Sequence, residues 1–143
     1  MDRLFLDANV LFSAAYAPGN YFLKLWRLKE VRLLTSGYAL EEARRNLGET
    51  DRLKRLDRLI KAVEIVPDRA VSEFPGLFSK LDLAEKDRPI LAAAISARAT
   101  RLLTGDKRHF GRWFGKRLGG VLVQTPAQYF QKKSGSPKGG RTP

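Results

Sequence analysis

The chain has 143 residues, 43% of them hydrophobic, with 27 Lys and Arg against 15 Asp and Glu, a net charge of +12. That length suits one domain with a real core, and the apolar fraction excludes a chain that is disordered throughout. With no cysteine there is no disulfide, thiolate zinc site, iron–sulfur cluster or cysteine nucleophile, and a single histidine, His109, leaves no multi-histidine metal site.

Taken in order, Leu4-Phe5-Leu6 reads as a short buried strand, and residues 9–16 continue as a helix that ends near Pro18-Gly19. Tyr21, Phe22, Leu25, Trp26 and Leu28 recur at helical spacing and form one apolar stripe. Residues 31–35 are a second strand. Ser36 and Gly37 open a helix that runs to about Leu47 and stops at Gly48. Leu53, Leu56, Leu59, Ile60 and Val63 mark an amphipathic helix with a basic outer face, and residues 63–66 a third strand stopped by Pro67. Residues 68–83 read as helical turns interrupted by Pro75-Gly76. A helix follows over residues 86–99, with Pro89 in its first turn, where a missing N–H costs nothing.

Residues 101–104 form a strand, 107–116 a short helix or loop, 121–123 a last strand and 126–130 a last turn of helix. Alternating strands and helices predict an α/β fold: a three-layer α/β/α sandwich around a mainly parallel sheet. Residues 1–130 make one domain. Residues 131–143, without an apolar side chain from Lys132 on, are expected to be a disordered basic tail. The start of the chain shows no signal-peptide core, and the longest apolar run, residues 90–95, is too short to span a bilayer, so a soluble cytoplasmic protein is expected.

Four acids stand where strands end or helices begin. Asp7 closes the first strand, Glu42 lies early in the helix after the second, Asp87 opens the apolar helix, and Asp106 follows the strand ending in Thr104-Gly105. Each has a plainer role available. Asp7 and Asp87 suit helix N-termini, Glu42 the positive end of a helix dipole, and Asp106 a turn. Capping does not explain why all four converge on the carboxyl ends of one parallel sheet, where open α/β sheets bind ligands. Gathered carboxylates repel unless a charge cancels them, and a hard divalent cation with oxygen ligands does so. An acidic metal site on a basic protein points to cleavage of a polyanion such as nucleic acid.

The segments Leu6-Asp7-Ala8-Asn9-Val10-Leu11, Thr35-Ser36-Gly37-Tyr38-Ala39-Leu40-Glu41-Glu42-Ala43, Lys86-Asp87-Arg88-Pro89-Ile90 and Leu102-Leu103-Thr104-Gly105-Asp106-Lys107 occur in the order found in PIN domains. In these segments the chain resembles the nuclease fold of VapC-type toxins, and in particular the subgroup described as toxin components of toxin–antitoxin pairs. The resemblance spans residues 3 to 125. It implies a metal-dependent endoribonuclease with Asp7, Glu42, Asp87 and Asp106 as its acidic set, Asn9 and Thr104 in support, and one or two Mg²⁺ or Mn²⁺ ions. It also implies an antitoxin partner and a homodimer. Ala8 departs from the threonine or serine commoner there. The Glu41-Glu42 pair leaves the register open; Glu42 is preferred because Leu40, Ala43 and Leu47 then share a buried face, while Glu41 can pair with Arg45.

Such a site offers metal-assisted phosphodiester hydrolysis, in which the cation polarises phosphate, acidifies a bound water and stabilises the leaving oxygen. One ion on Asp7 and Asp106, with Glu42 or Asp87 orienting water, and a two-ion arrangement are both consistent with the residues. Between Arg98 and Arg117 lie seven basic residues, including Lys107, Arg108, Arg112 and Lys116, interleaved with Phe110, Trp113 and Phe114. Charge mixed with ring faces is what single-stranded RNA uses; the rings also suit core or a dimer contact, and at least one of the three is expected to be core. Lys107 and Arg108, beside Asp106, are the expected phosphate contacts. His109 is left out of the site, and the 21–26 stripe is core by default or else a partner-binding face. A non-catalytic nucleic-acid or partner-binding module is the main alternative. A haloacid-dehalogenase-type phosphotransferase fits less well, because it wants an aspartate where Asn9 stands, and a flap-type nuclease would carry longer insertions.

Overall fold

The computed structural model describes residues 1–134. Residues Asp2–Leu6 form β1, Val31–Ser36 β2, Glu64–Val66 β3, Arg101–Leu103 β4, Arg117–Leu118 β5 and Val121–Gln124 β6. They make one sheet in the order β3-β2-β1-β4-β6-β5. Every pairing is parallel except that of β5 with β6. Helices flank the sheet to give the expected three-layer α/β/α architecture. Among the described residues, no helix is long and apolar enough to cross a membrane.

The strands are short because each needs only three or four apolar residues to fill a sheet covered on both faces. Leu4, Phe5, Leu6, Leu102 and Leu103 are fully buried in unbroken runs rather than alternating, as parallel strands require. Strand order reverses at β1: β2 and β3 lie on one side, β4 and β6 on the other. That reversal opens a crevice beyond the carboxyl ends of β1 and β4.

The helices α1 (Ala8–Tyr16), α2 (Gly37–Leu47) and α3 (Thr50–Ile60) pack on one another. On α2, Ala39, Ala43 and Leu47 are buried at four-residue spacing, with Leu40 only half-buried. Ser36 Oγ accepts from Ala39 N at 3.2 Å to start this helix, and Gly48, at φ 63°, ends it in the left-handed conformation that glycine tolerates. The basic face of α3 serves the fold: Arg55 donates to the carbonyls of Ala15 and Tyr16, and Arg52 to that of Tyr16, satisfying the free C-terminal end of α1.

Several elements differ from expectation. The stripe at 21–28 is a 3₁₀ helix, Tyr21–Arg27; it buries Leu25, and Trp26 Nε1 donates to Leu59 O at 2.9 Å. Pro75 does not interrupt a turn but opens the short α4 (Pro75–Phe78), where its fixed φ suits the first position. The helix expected from residue 86 begins as a 3₁₀ turn, Glu85–Asp87, and continues as α5 (Arg88–Ser96). The short helix after β4 is α6 (Lys107–Phe110), followed by a 3₁₀ turn at Gly111–Trp113. The sequence reading missed β5. It is joined to β6 by Gly119 and Gly120, both at positive φ, in a two-residue hairpin, and a Cβ on Gly119 would stand 2.6 Å from Ile95 Cδ1. The last helix, α7 (Pro126–Ser134), is longer than the single turn expected. From residue 135 on, the basic tail lies outside the described residues.

Candidate active site

The register of β1 against β4 sets Leu6 beside Leu103, and Asp7 N extends that ladder with a 3.1 Å bond to Leu103 O. Asp7 and Thr104 therefore meet just past the strand ends. Thr104 Oγ1 donates to Asp7 Oδ2 at 2.8 Å and accepts from Asp106 N at 3.1 Å. Asn9 closes the ring: its Nδ2 donates to Asp7 Oδ2 and Thr104 Oγ1, and its Oδ1 accepts from Gly105 N at 2.7 Å. Ala8 N donates to Asp7 Oδ1 at 2.7 Å. Asn9 and Thr104 thus lock the two strand-end loops together and fix where both aspartates stand.

Asp7 is 4% exposed, and its carboxyl is pushed up to about 6: burial dominates, the Asp87 and Glu42 charges add to it, and the bonds from Thr104 and Ala8 oppose it. Asp87, at the end of its 3₁₀ turn, is 7% exposed and also raised, first by burial and then by Asp106 and Glu42, against relief from His109 and Lys86. It makes no side-chain cap bond to α5. Its buried Oδ2 has no hydrogen-bond partner; His109 Nδ1 lies 3.1 Å away without hydrogen-bond alignment. Asp106 does cap α6, accepting from His109 N at 3.0 Å. Glu42 sits in the second turn of α2, past the first-turn N–H groups, so the helix-dipole reading does not account for it. It lines the cleft, while Glu41 is exposed and faces Arg45 at 4.0 Å.

The four acids converge on a cleft of about 540 Å³ that Asn9, Phe12, Phe22 and Lys86 also line. Capping accounts for part of Asp7 and Asp106 and for none of Asp87 or Glu42. A buried carboxylate oxygen without a donor, in a set of oxygen ligands, fits a hard divalent cation.

Three residues that the sequence reading left out of the site or gave no role belong to this neighbourhood. The His109 ring stands between two of the acids, with Nδ1 2.8 Å from Asp106 Oδ2. Lys86 lines the cleft beside Asp87. Tyr38 Oη donates to Lys86 O at 2.7 Å, and burial with the Glu42 and Asp87 charges raises its phenol. For His109 the available signal was its place three residues after a helix-capping aspartate. The basic stretch divides. Lys107, Arg108, Arg112 and Lys116 are exposed, but Arg112 already pairs with Asp82. Phe110 is fully buried core rather than a stacking face, and Trp113 and Phe114 are half-buried against that core.

Comparison with known proteins follows the same lines. The chain is similar in structure to VapBC2 from Rickettsia felis, solved bound to a DNA fragment from its promoter (TM-score 0.67, 18% identity, 86% of this chain and 98% of that one). It is also similar to VapBC-1 from nontypeable Haemophilus influenzae (TM-score 0.61, 17% identity, 86% and 97%). A third similar structure is VapC20 of Mycobacterium tuberculosis, a sarcin–ricin loop cleaving toxin (TM-score 0.52, 17% identity, 73% and 91%). At these identities the likeness is one of fold. A search of curated proteins found no match. The family model for the PIN domain matches residues 3–108, most of the chain, so the chain belongs to the PIN domain family.

Proposed function

We propose that this PIN domain is a Mg²⁺- or Mn²⁺-dependent endoribonuclease that hydrolyses phosphodiester bonds in single-stranded or loop RNA, and that it is the toxin of a toxin–antitoxin pair. The observation that carries the reading is the uncompensated charge at the switch point. Asp7 and Asp87 are buried with raised carboxyls, and Asp87 Oδ2 has no donor. The toxin assignment is supported by the fold shared with VapBC proteins, and the RNA substrate by the basic surface and the sarcin–ricin loop cleaved by VapC20.

In this reading Asp7, Glu42, Asp87 and Asp106 hold one or two ions. A bound ion supplies positive charge to the phosphate oxygens and lowers the pKa of a water. Asp7 is the fixed member, immobilised by Ala8, Asn9 and Thr104. Glu42, on a separate helix, also lines the cleft, and in this reading it or Asp87 orients water. Lys107, Arg108, Arg112 and Lys116 draw in the RNA backbone, with Lys107 and Arg108 beside the scissile phosphate. The cognate antitoxin and a homodimer belong to the same proposal.

The test is cleavage of end-labelled single-stranded RNA by the purified protein with Mg²⁺, Mn²⁺ or EDTA, alongside Asp106→Asn. Metal-dependent fragments that vanish in the variant support the reading. Normal folding and RNA binding with no cleavage under any condition would favour a non-catalytic binding module.

A further inference from the structure

His109 is the only histidine in the chain, and its ring stands between two of the cleft acids. Nδ1 lies 2.8 Å from Asp106 Oδ2 and 3.1 Å from Asp87 Oδ2, and one ligand atom from each of the three side chains falls within 4.8 Å of the others. An octahedral ion with donors at roughly 2.1 Å sets neighbouring donors about 3 Å apart. The two measured separations bracket that value. A simple ion pair explains the geometry less completely. The ring bonds to Asp106, yet Asp87 Oδ2, on a residue 7% exposed, is left without a hydrogen bond although it faces the same nitrogen. The orphaned oxygen is aimed at a point that the ring also faces, as expected of two ligands to one centre.

We propose that His109 is a nitrogen ligand which, with Asp87 and Asp106, makes this site prefer a first-row transition ion to Mg²⁺. The inference rests on the metal-dependent reading above and specifies which ion the site takes. Carboxylate and water oxygens suit Mg²⁺, whereas an imidazole donor favours transition ions in an order rising from Mn²⁺ to Co²⁺. Coordination through Nδ1 requires that nitrogen to offer its lone pair to the ion, with the ring hydrogen on Nε2, so the ion would take the place of the Nδ1–Asp106 contact.

The experiment is pulsed electron paramagnetic resonance on the tag-free, full-length protein loaded with Mn²⁺, with Mn²⁺ and Mg²⁺ affinities measured for wild type, His109→Gln and Asp106→Asn. With one histidine in the chain, ¹⁴N modulation of a directly bound imidazole has a single source, and the wild-type spectrum decides without any variant. The expected result is that modulation, lost in His109→Gln. The accompanying loss of Mn²⁺ affinity should be no smaller than the roughly 10- to 100-fold that removing an outer-shell partner costs. Mg²⁺ affinity should change far less. Saturable Mn²⁺ binding that is lost in Asp106→Asn but shows no nitrogen modulation would overturn the role of His109 and leave a carboxylate metal site standing. No saturable Mn²⁺ binding by wild type would overturn both.

Discussion

The two ends of β1 carry an aspartate each and treat it in opposite ways. At the amino end, Asp2 accepts from Tyr129 Oη at 2.7 Å and Thr100 Oγ1 at 3.3 Å, and Arg101 Nη1 lies 4.0 Å away. Two hydroxyls hydrogen-bond that charge and a guanidinium pairs with it. At the carboxyl end, Asp7 has hydrogen bonds but no cation, Asp87 lacks even a full set of hydrogen bonds, and their carboxyls are raised. Among the described residues no Lys or Arg forms an ion pair with any of the four cleft acids; His109 alone approaches two of them. A chain with 27 Lys and Arg had ample means to compensate these acids. Among the described residues a guanidinium pairs with Asp2 and no Lys or Arg with the cleft acids, as expected if the cleft charge is complementary to something outside the chain.

The sharpest way to break the contrast is to neutralise one acid at each end. Asp106→Asn is expected to lower RNA cleavage by at least about 10²-fold, the scale on which loss of a single charge-stabilising group acts. Asp2→Asn should cleave at close to the wild-type rate. Equal losses in an end-labelled RNA assay would erase the distinction.

The next effect is on stability against pH. The folded pKa of Asp7, about 6, lies above the ordinary aspartate value of 3.8, so the ionised form is the penalised one. The penalty is absent below 3.8, grows as pH rises, and is complete above about 6, where it reaches roughly 3 kcal/mol. A cation that needs the ionised form should therefore stabilise the protein little at pH 4.5 and much more at pH 7.5. At 100 times its Kd the gain is about 2.7 kcal/mol. Urea unfolding with Mn²⁺ or EDTA across that range checks the sign; a gain that shrinks with pH would contradict it. In the same assay Asp87→Asn should unfold at higher urea than wild type in EDTA at pH 7.5 and respond weakly to Mn²⁺.

The far end predicts the converse. Tyr129 is buried, and burial together with the Asp2 carboxylate raises its phenol. Tyr129→Phe removes a hydrogen bond to a charged group and should cost about 1.5–3 kcal/mol in urea unfolding, with the Mn²⁺ response intact. The smallest effects belong to the exposed basic residues. Lys107→Ala and Arg108→Ala should each alter stability by less than about 0.5 kcal/mol. Each should also reduce the salt slope of single-stranded RNA binding by about 0.7, a change that filter binding at several ionic strengths resolves.

The sequence disclosed most where a local pattern and a long-range constraint coincide. Leu4-Phe5-Leu6 and Leu102-Leu103 read as strands because unbroken apolar runs suit a doubly covered parallel sheet, and that reading carried Asp7 and Asp106 to the same sheet edge. Glu42 was preferred to Glu41 on a buried face of Leu40, Ala43 and Leu47, of which Leu40 is only half-buried; Ala39 takes its place on that face of α2. The misses have physical causes. Arg117–Leu118 is too short to carry a periodicity, although Gly119-Gly120 announced its turn. At least one ring among the basic residues was expected to be core, but only the close of α6 shows that it is Phe110. His109 meets Asp106 and Asp87 because Asp106 caps that same short helix, and its place three residues after that aspartate was the one signal the sequence offered.

The central claim, that the cleft acids are reserved for a divalent cation, is tested most directly by calorimetric titration of Mn²⁺ at pH 7.5 into wild type, Asp2→Asn and Asp87→Asn. Saturable binding in the first two and its loss in the third is the predicted result. No saturable binding in wild type, or binding that survives unchanged in Asp87→Asn, would contradict it.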